Sequence, residues 1–358
     1  MSNTFENAAD ELRRMVYEGA AERYGSLAEG IRERIEYELS VMQGHEEYFL
    51  MARSIVDWAC GEGIVVGPGR GRAPSSIVCY CLGITRIDPI EHGLLFDRFM
   101  VPGGEPDIDL DVEYGAKERV QRYIREQFGG ASVDVLELKA LSVLKEILRK
   151  VQQRYGVAVD IDAIPLDDAE TLALYSAGEA EDVFQFESDG MREYMRHLKE
   201  PTFDTLSAMN ALYRPGAMDW IPVYIEMTKG DDYLGISCVK EALGRTSGLL
   251  VYQEQMMLLS KRIAGFTPEE ADRLRKAAAK KDMPELDVLR ERFIQGGVKN
   301  GYHEHYLVTL WSVFASRGPY LFNQAHSYSY VWLSFKLAWL KVHYPREYGE
   351  AILRYYRP

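Results

Sequence analysis

The stretch from Glu105 to Val112, Glu-Pro-Asp-Ile-Asp-Leu-Asp-Val, constrains this chain more than any other. From Asp107 to Val112, Asp alternates strictly with Ile, Leu and Val. A period of two is the period of a β-strand, in which alternate side chains share a face. The pattern therefore predicts Asp107, Asp109 and Asp111 on one face and Ile108, Leu110 and Val112 on the other. Three carboxylates in a row repel one another unless positive charge lies among them. A pair of Mg²⁺ ions supplies it well, because Mg²⁺ takes oxygen ligands and keeps positions open for phosphates. The plainer alternative is an edge strand with a solvated acidic face.

With 358 residues the chain is long enough for two or three domains with their own cores. Its 47% apolar and 27% charged content is that of an ordinary globular protein. No apolar run approaches the ~20 residues needed to cross a bilayer. The first residues, Met1 to Asn7, have neither the basic start nor the apolar run of a signal peptide. Cys60, Cys79, Cys81 and Cys238 form no CxxC pair and no zinc spacing, so free thiols in a reducing cytoplasm are expected. The net charge of -13 argues against a general nucleic-acid coat protein. The charge is uneven, with 18 basic and 12 acidic residues from Lys240 to Pro358 and a strong acidic excess before them. That division suits metal held by one half and phosphates by the other, and equally two halves that attract each other.

Apolar residues at helical spacing, among them Leu27, Ile31, Ile35, Leu39 and Met42, predict helices up to about Cys60. Ile64–Val66 then reads as a short buried strand, followed by Gly67-Pro68-Gly69-Arg70-Gly71-Arg72 and by a helix over Ala73–Leu82 that contains Ser76. Strand, Gly-rich turn and helix N-terminus form a cradle for phosphate, to which Arg70 and Arg72 add charge. A plain glycine-rich connection with two solvent-facing arginines is the alternative. An amphipathic helix is predicted over Tyr114–Phe128, and a short β-branched strand at Val133–Leu136 carries Asp134. An acid inside an apolar strand is costly unless it is paired or bound to metal. Asp-x-Asp on one strand, a helix, and one Asp on the next strand can bring three carboxylates together, as two-metal phosphoryl transfer requires. From Lys139 onward the pattern is mainly helical. It includes a basic helix, Arg273–Lys281, on which Arg273, Lys276 and Lys280 share a surface. Such a face is either solvated or a grip for a triphosphate.

Nine motifs in order, GPGRG, PDIDLDV, VDVLEL, VFQFES, LYRPG, YQEQ, LRKAAAKK, FNQAHS and WLKVHYP, make the chain resemble the bacterial C-family DNA polymerases. The resemblance runs from about Tyr37 to Leu353. It implies an α+β fold: a polymerase-beta-like nucleotidyltransferase palm over residues 1–138 and a mostly helical fingers domain over 139–358. It implies Asp107, Asp109 and Asp134 as the catalytic carboxylates, holding two Mg²⁺ ions for which Mn²⁺ can substitute. Gly69, Arg70, Gly71, Arg72, Ser76, Arg275, Lys276, Lys280, Asn323 and His326 would lie at the nucleotide. The implied activity is transfer of a dNMP from a dNTP to a 3′-hydroxyl. The implied partners are dNTP and, weakly, primer-template DNA, in the cytoplasm and away from membranes.

The departures from the family pattern are specific. Its N-terminal metal-dependent domain and its clamp-binding and OB-fold regions are not seen. The long insertion that carries the thumb is replaced by Gly129-Gly130-Ala131-Ser132, so low processivity is expected. Arg72 stands in place of the family's Ser, Ser132 in place of its Lys, Gln324-Ala325 in place of its Lys-Ser, and Ala279 in place of a Gly. Three readings fit: a working polymerase core or template-independent transferase, a polymerase-like scaffold that binds nucleotide or protein, and a trimmed core of low activity.

Overall fold

A computed structural model of the chain describes residues 7–129, 133–230 and 237–356. Three of the four residues of the expected short link, 130–132, lie outside the described residues, and Ser132 with them. The period-two stretch forms β1 (Asp109–Glu113), and the Asp134 segment forms β2 (Asp134–Leu138). The two strands pair in parallel, with Asp109 opposite Asp134 and Leu110 opposite Val135. The helix Lys117–Phe128 connects them and buries Val120 and Ile124. Ile108, Leu110 and Val112 are almost fully buried and join Val66, Val120, Ile124 and Val135 in one apolar core. The chain is α+β, with one small sheet among the described residues and helices elsewhere.

The strand expected at Ile64–Val66 is reduced to an isolated antiparallel bridge between Val66 and Val112. Gly63 precedes it and Gly67-Pro68 follows, which leaves too few residues for a ladder. The bridge still pins the loop. The Glu113 amide donates to the Val65 carbonyl at 3.0 Å, and the Gly67 amide to the Asp111 carbonyl at 2.8 Å.

Before the sheet, the helices Ala8–Tyr24, Glu29–Val41 and Glu46–Gly61 form the expected N-terminal layer. After it, an apolar core centred on the helix Gln324–His343 gathers Ile87 and Leu94 together with residues from Ala140 to Ile352. Tyr328, Val331, Leu333, Phe335, Ala338 and Leu340 of that helix are all inaccessible to solvent. The valine, leucines and phenylalanine among them each contribute ~1.5–3 kcal/mol over an exposed one. This burial fixes the helix, and the residues at its N-terminus, against the sheet-bearing part. A third core unites the helices Gln253–Ala264, Pro268–Lys280, Met283–Lys299 and Glu304–Arg317. No described helix is long and apolar enough to cross a membrane.

Candidate active site

Alternation along the strand places the acids on one face, as expected, but in three different settings. Asp107 precedes β1 and is exposed, Asp109 is partly buried, and Asp111 is 1% exposed. Asp111 is tied down: Arg70 Nη1 donates to its Oδ1 at 3.1 Å, and the Tyr330 hydroxyl to its Oδ2 at 3.1 Å. It serves as an anchor between the strand and the helix Gln324–His343. Arg70 Nε also lies 3.9 Å from Asp109, and Arg72 Nη2 donates to Asp107 at 2.6 Å.

Asp134 departs from expectation. The apolar pattern predicts an acid inside the strand, yet Asp134 is the exposed first residue of β2, while Val133 and Val135 carry the burial. The desolvation argument therefore does not apply to it. Its register does matter, because it stands opposite Asp109. Burial pushes the Asp109 carboxyl above its ordinary range, and the charges of Asp107 and Asp134 push the same way, against Arg70. Asp109 thus feels both of the other acids. Among the described residues, however, no three acidic, His or Cys side chains are gathered tightly enough to hold a metal ion. The donor set, carboxylate oxygens alone, is the kind Mg²⁺ takes.

The glycines of the loop have steric reasons to be glycine. Gly69 has φ +102°, and a Cβ there would lie 2.8 Å from Thr85 Cγ2. Gly71 has φ +63°, and its Cβ would press to 3.3 Å from Asp109 Oδ2.

The helix after the loop does not offer an open N-terminus. The expected helix over Ala73–Leu82 divides into a 3₁₀ turn, Ala73–Ser75, and a short helix, Ile77–Cys81, with Ser76 extended between them. Glu38, fully buried, fills the position that a phosphate would take. It accepts from the Ile77 amide at 3.1 Å, the Val78 amide at 3.2 Å, the Ser76 hydroxyl at 2.6 Å and Arg34 Nε at 2.6 Å. A phosphate cradle at this helix is thereby overturned, because its free N–H groups already serve a carboxylate. Ser76 caps the helix by accepting from the Cys79 amide at 3.1 Å, and it faces inward rather than toward the acids.

Asn323 and His326 do reach the loop. Asn323 Nδ2 donates to the Gly71 carbonyl at 2.9 Å, and the Gly71 amide donates to His326 Nδ1 at 3.1 Å. Asn323 Oδ1 meanwhile caps the helix by accepting from the His326 amide at 3.2 Å. Burial, with Arg70 nearby, pushes the His326 pKa down to about 4, so the ring is the neutral acceptor this bond needs. The YQEQ motif holds this segment in place. The Gln253 amide donates to the Phe322 carbonyl at 2.8 Å, and the Gln324 amide to Glu254 Oε2 at 3.0 Å.

On the helix Pro268–Lys280, Arg275 and Lys276 both pair with Asp272, at 2.8 and 2.7 Å. Lys276 and Lys280 are exposed, and Arg273 pairs with Glu285. Sequence reasoning missed Arg98, which feels the charge of Arg275. Burial pushes the Arg98 pKa down to about 10, with Arg275 and Arg72 adding to the effect and Glu254 opposing it. Arg72 and Arg275 thus both act on Arg98, and Arg72 in turn pairs with Asp107, while Arg98 Nε donates to Gln253 Oε1 at 3.0 Å. Glu254 is buried, and its Oε1 has no hydrogen-bond donor among the described residues. The only sequence signal for Arg98 is a lone cation in the apolar run Leu94–Met100.

Two family profiles match this chain. A family profile described as the bacterial DNA polymerase III alpha NTPase domain matches residues 10–193, and one for the finger domain of that subunit matches residues 140–301. The first match covers more than half of the chain, and the chain belongs to the bacterial DNA polymerase III alpha family. DNA polymerase III subunit alpha of Thermus aquaticus is 30% identical over 489 residues, covering 97% of this chain and 40% of that protein. The same subunit of Halalkalibacterium halodurans is 30% identical, covering 97% of this chain and 43% of that protein. In Staphylococcus aureus the figures are 29% identity, 90% of this chain and 42% of that protein. The chain therefore spans about two fifths of these relatives. An alignment of 489 residues against a chain of 358 also means that the Thermus protein carries insertions within the matched region.

Proposed function

We propose that this chain is the palm-and-fingers core of a DNA polymerase, with a palm over residues 1–138 and fingers over 139–358. In the proposed reaction a 3′-hydroxyl gives its proton to water, its oxygen bonds to the α-phosphorus of a dNTP, the α–β phosphoanhydride bond breaks, and pyrophosphate leaves. One observation carries the reading: Asp109 and Asp134 face each other across parallel strands, with Asp107 two residues ahead and the arginines at their side.

Asp107, Asp109 and Asp134 would hold divalent cations, Mg²⁺ or Mn²⁺. Bound there, such ions would lower the pKa of the hydroxyl and neutralise phosphate charge. Arg72, Arg98 and Arg275 would meet the triphosphate by charge-assisted hydrogen bonds, with Lys276 and Lys280 at the solvent edge. Arg72 would have to leave Asp107 to do so, which couples nucleotide binding to opening of the acid pair. Asn323 and neutral His326 hold the Gly71 backbone and so set the loop's position. Primer-template DNA would bind weakly without a thumb, and low processivity would follow.

The ion pair between Arg72 and Asp107 also favours a second reading, a scaffold that binds nucleotide or protein without chemistry. Primer extension with Mg²⁺ or Mn²⁺ and dNTPs separates the two. Extension by the wild type that is lost in Asp107→Ala/Asp109→Ala establishes the polymerase. Parallel templated and untemplated primers show whether it copies. No extension from a folded protein under any condition favours the scaffold.

A further inference from the structure

Away from the acids, the helical region contains a cavity of about 510 Å³. Leu243, Leu249, Leu259, Leu310 and Trp220 line it, and so does Arg317. None of the candidate nucleotide-site residues takes part. Arg317 is the last residue of the helix Glu304–Arg317 and is 7% exposed. Its guanidinium carbon lies 4.1 Å from the centroid of the Trp220 ring. Among the described residues its side chain meets no carboxylate and donates no hydrogen bond. Burial alone pushes its pKa down to about 10, with no acid opposing. A buried charge of this kind is expensive unless it is paired. Stacking on Trp220 and the helix C-terminus offset only part of that cost.

We propose that this cavity is a binding site for a small amphipathic carboxylate, with an apolar body among the leucines and one carboxylate paired with Arg317 beside Trp220. The volume lies in the ordinary range of small-molecule sites. A single guanidinium matches a single carboxylate in a bidentate pair. A phosphate ester would need more cationic donors than this wall offers. The proposal does not depend on the polymerase reading, since it uses none of the same residues.

Isothermal titration of the full chain with decanoate, beside decan-1-ol as an uncharged ligand of the same apolar body, tests it. Decanoate is expected to bind at least ~10-fold more tightly than decanol, the ratio one charge-assisted pair supplies. Arg317→Met should bring decanoate to the level of decanol and leave decanol unchanged. Leu310→Trp, which crowds the apolar part of the cavity and keeps the arginine, should weaken both. Equal affinity of the wild type for the two ligands, decanoate still tighter than decanol in Arg317→Met, decanoate binding unchanged in Leu310→Trp, or no binding of decanoate to the wild type would each overturn the proposal. Should Arg317→Met fail to fold, the ligand comparison and Leu310→Trp still decide.

Discussion

His326 works as an uncharged residue. Its Nδ1 accepts the Gly71 amide, which a protonated ring cannot do, and burial holds its pKa near 4 against an ordinary value of about 6.5. Between those values the unfolded chain binds a proton that the folded chain refuses. Stability therefore falls as the pH drops from about 6.5 toward 4, and this contribution is constant above 6.5. Urea midpoints of the wild type should shift down by the equivalent of about 3 kcal/mol across that window. His326→Gln should remove this part of the slope while keeping an acceptor near Gly71. An unchanged slope would mean that the ring titrates freely. The histidine was legible in the sequence through the FNQAHS motif. Its protonation state was not, because it depends on burial against a loop 255 positions away.

At the scale of elements, the loop and the short helix after it look from sequence like an anion cradle, and the fold gives that cradle to Glu38. The carboxylate arrives from the helix Glu29–Val41 and satisfies three donors of the loop-to-helix junction along with Arg34. Glu38→Ala would leave the Ile77 and Val78 amides and the Ser76 hydroxyl without partners in a dry interior. A loss of about 2–4 kcal/mol is expected by chemical denaturation. Glu38→Gln should cost less, since it keeps one acceptor. A change below about 0.5 kcal/mol in Glu38→Ala would refute the capping account. Local pattern could not supply this, because Glu38 reads as one more acid on an amphipathic helix. The strand elements were legible for the opposite reason: a period of two is local and survives any packing. Even so, Ile64–Val66 kept only one bridge, where glycine and proline cut the ladder short.

For the whole molecule, Arg72 ties the acidic strand to the other cations, since it pairs with Asp107 and its charge acts on Arg98. Mg²⁺ should raise the unfolding midpoint of the wild type, by about 2.7 kcal/mol at a hundredfold excess over its dissociation constant. Asp109→Ala should abolish that gain and, without metal, be neutral or stabilising, since it relieves repulsion from Asp107 and Asp134. A Mg²⁺ effect that persists in Asp109→Ala would place the metal elsewhere. By itself the sequence showed the acid-bearing strand, the helix and second strand after it and the helical remainder, because each rests on short-range periodicity or turn chemistry, while the α+β class followed from the resemblance its motifs carry. The tertiary structure alone decided that Asp134 is solvent-facing, that Asp111 is an anchor, that Arg98 joins Arg72 and Arg275, and that Glu38 takes the helix N-terminus. Those outcomes depend on burial and on charges brought together from distant segments, and neither is encoded in local spacing.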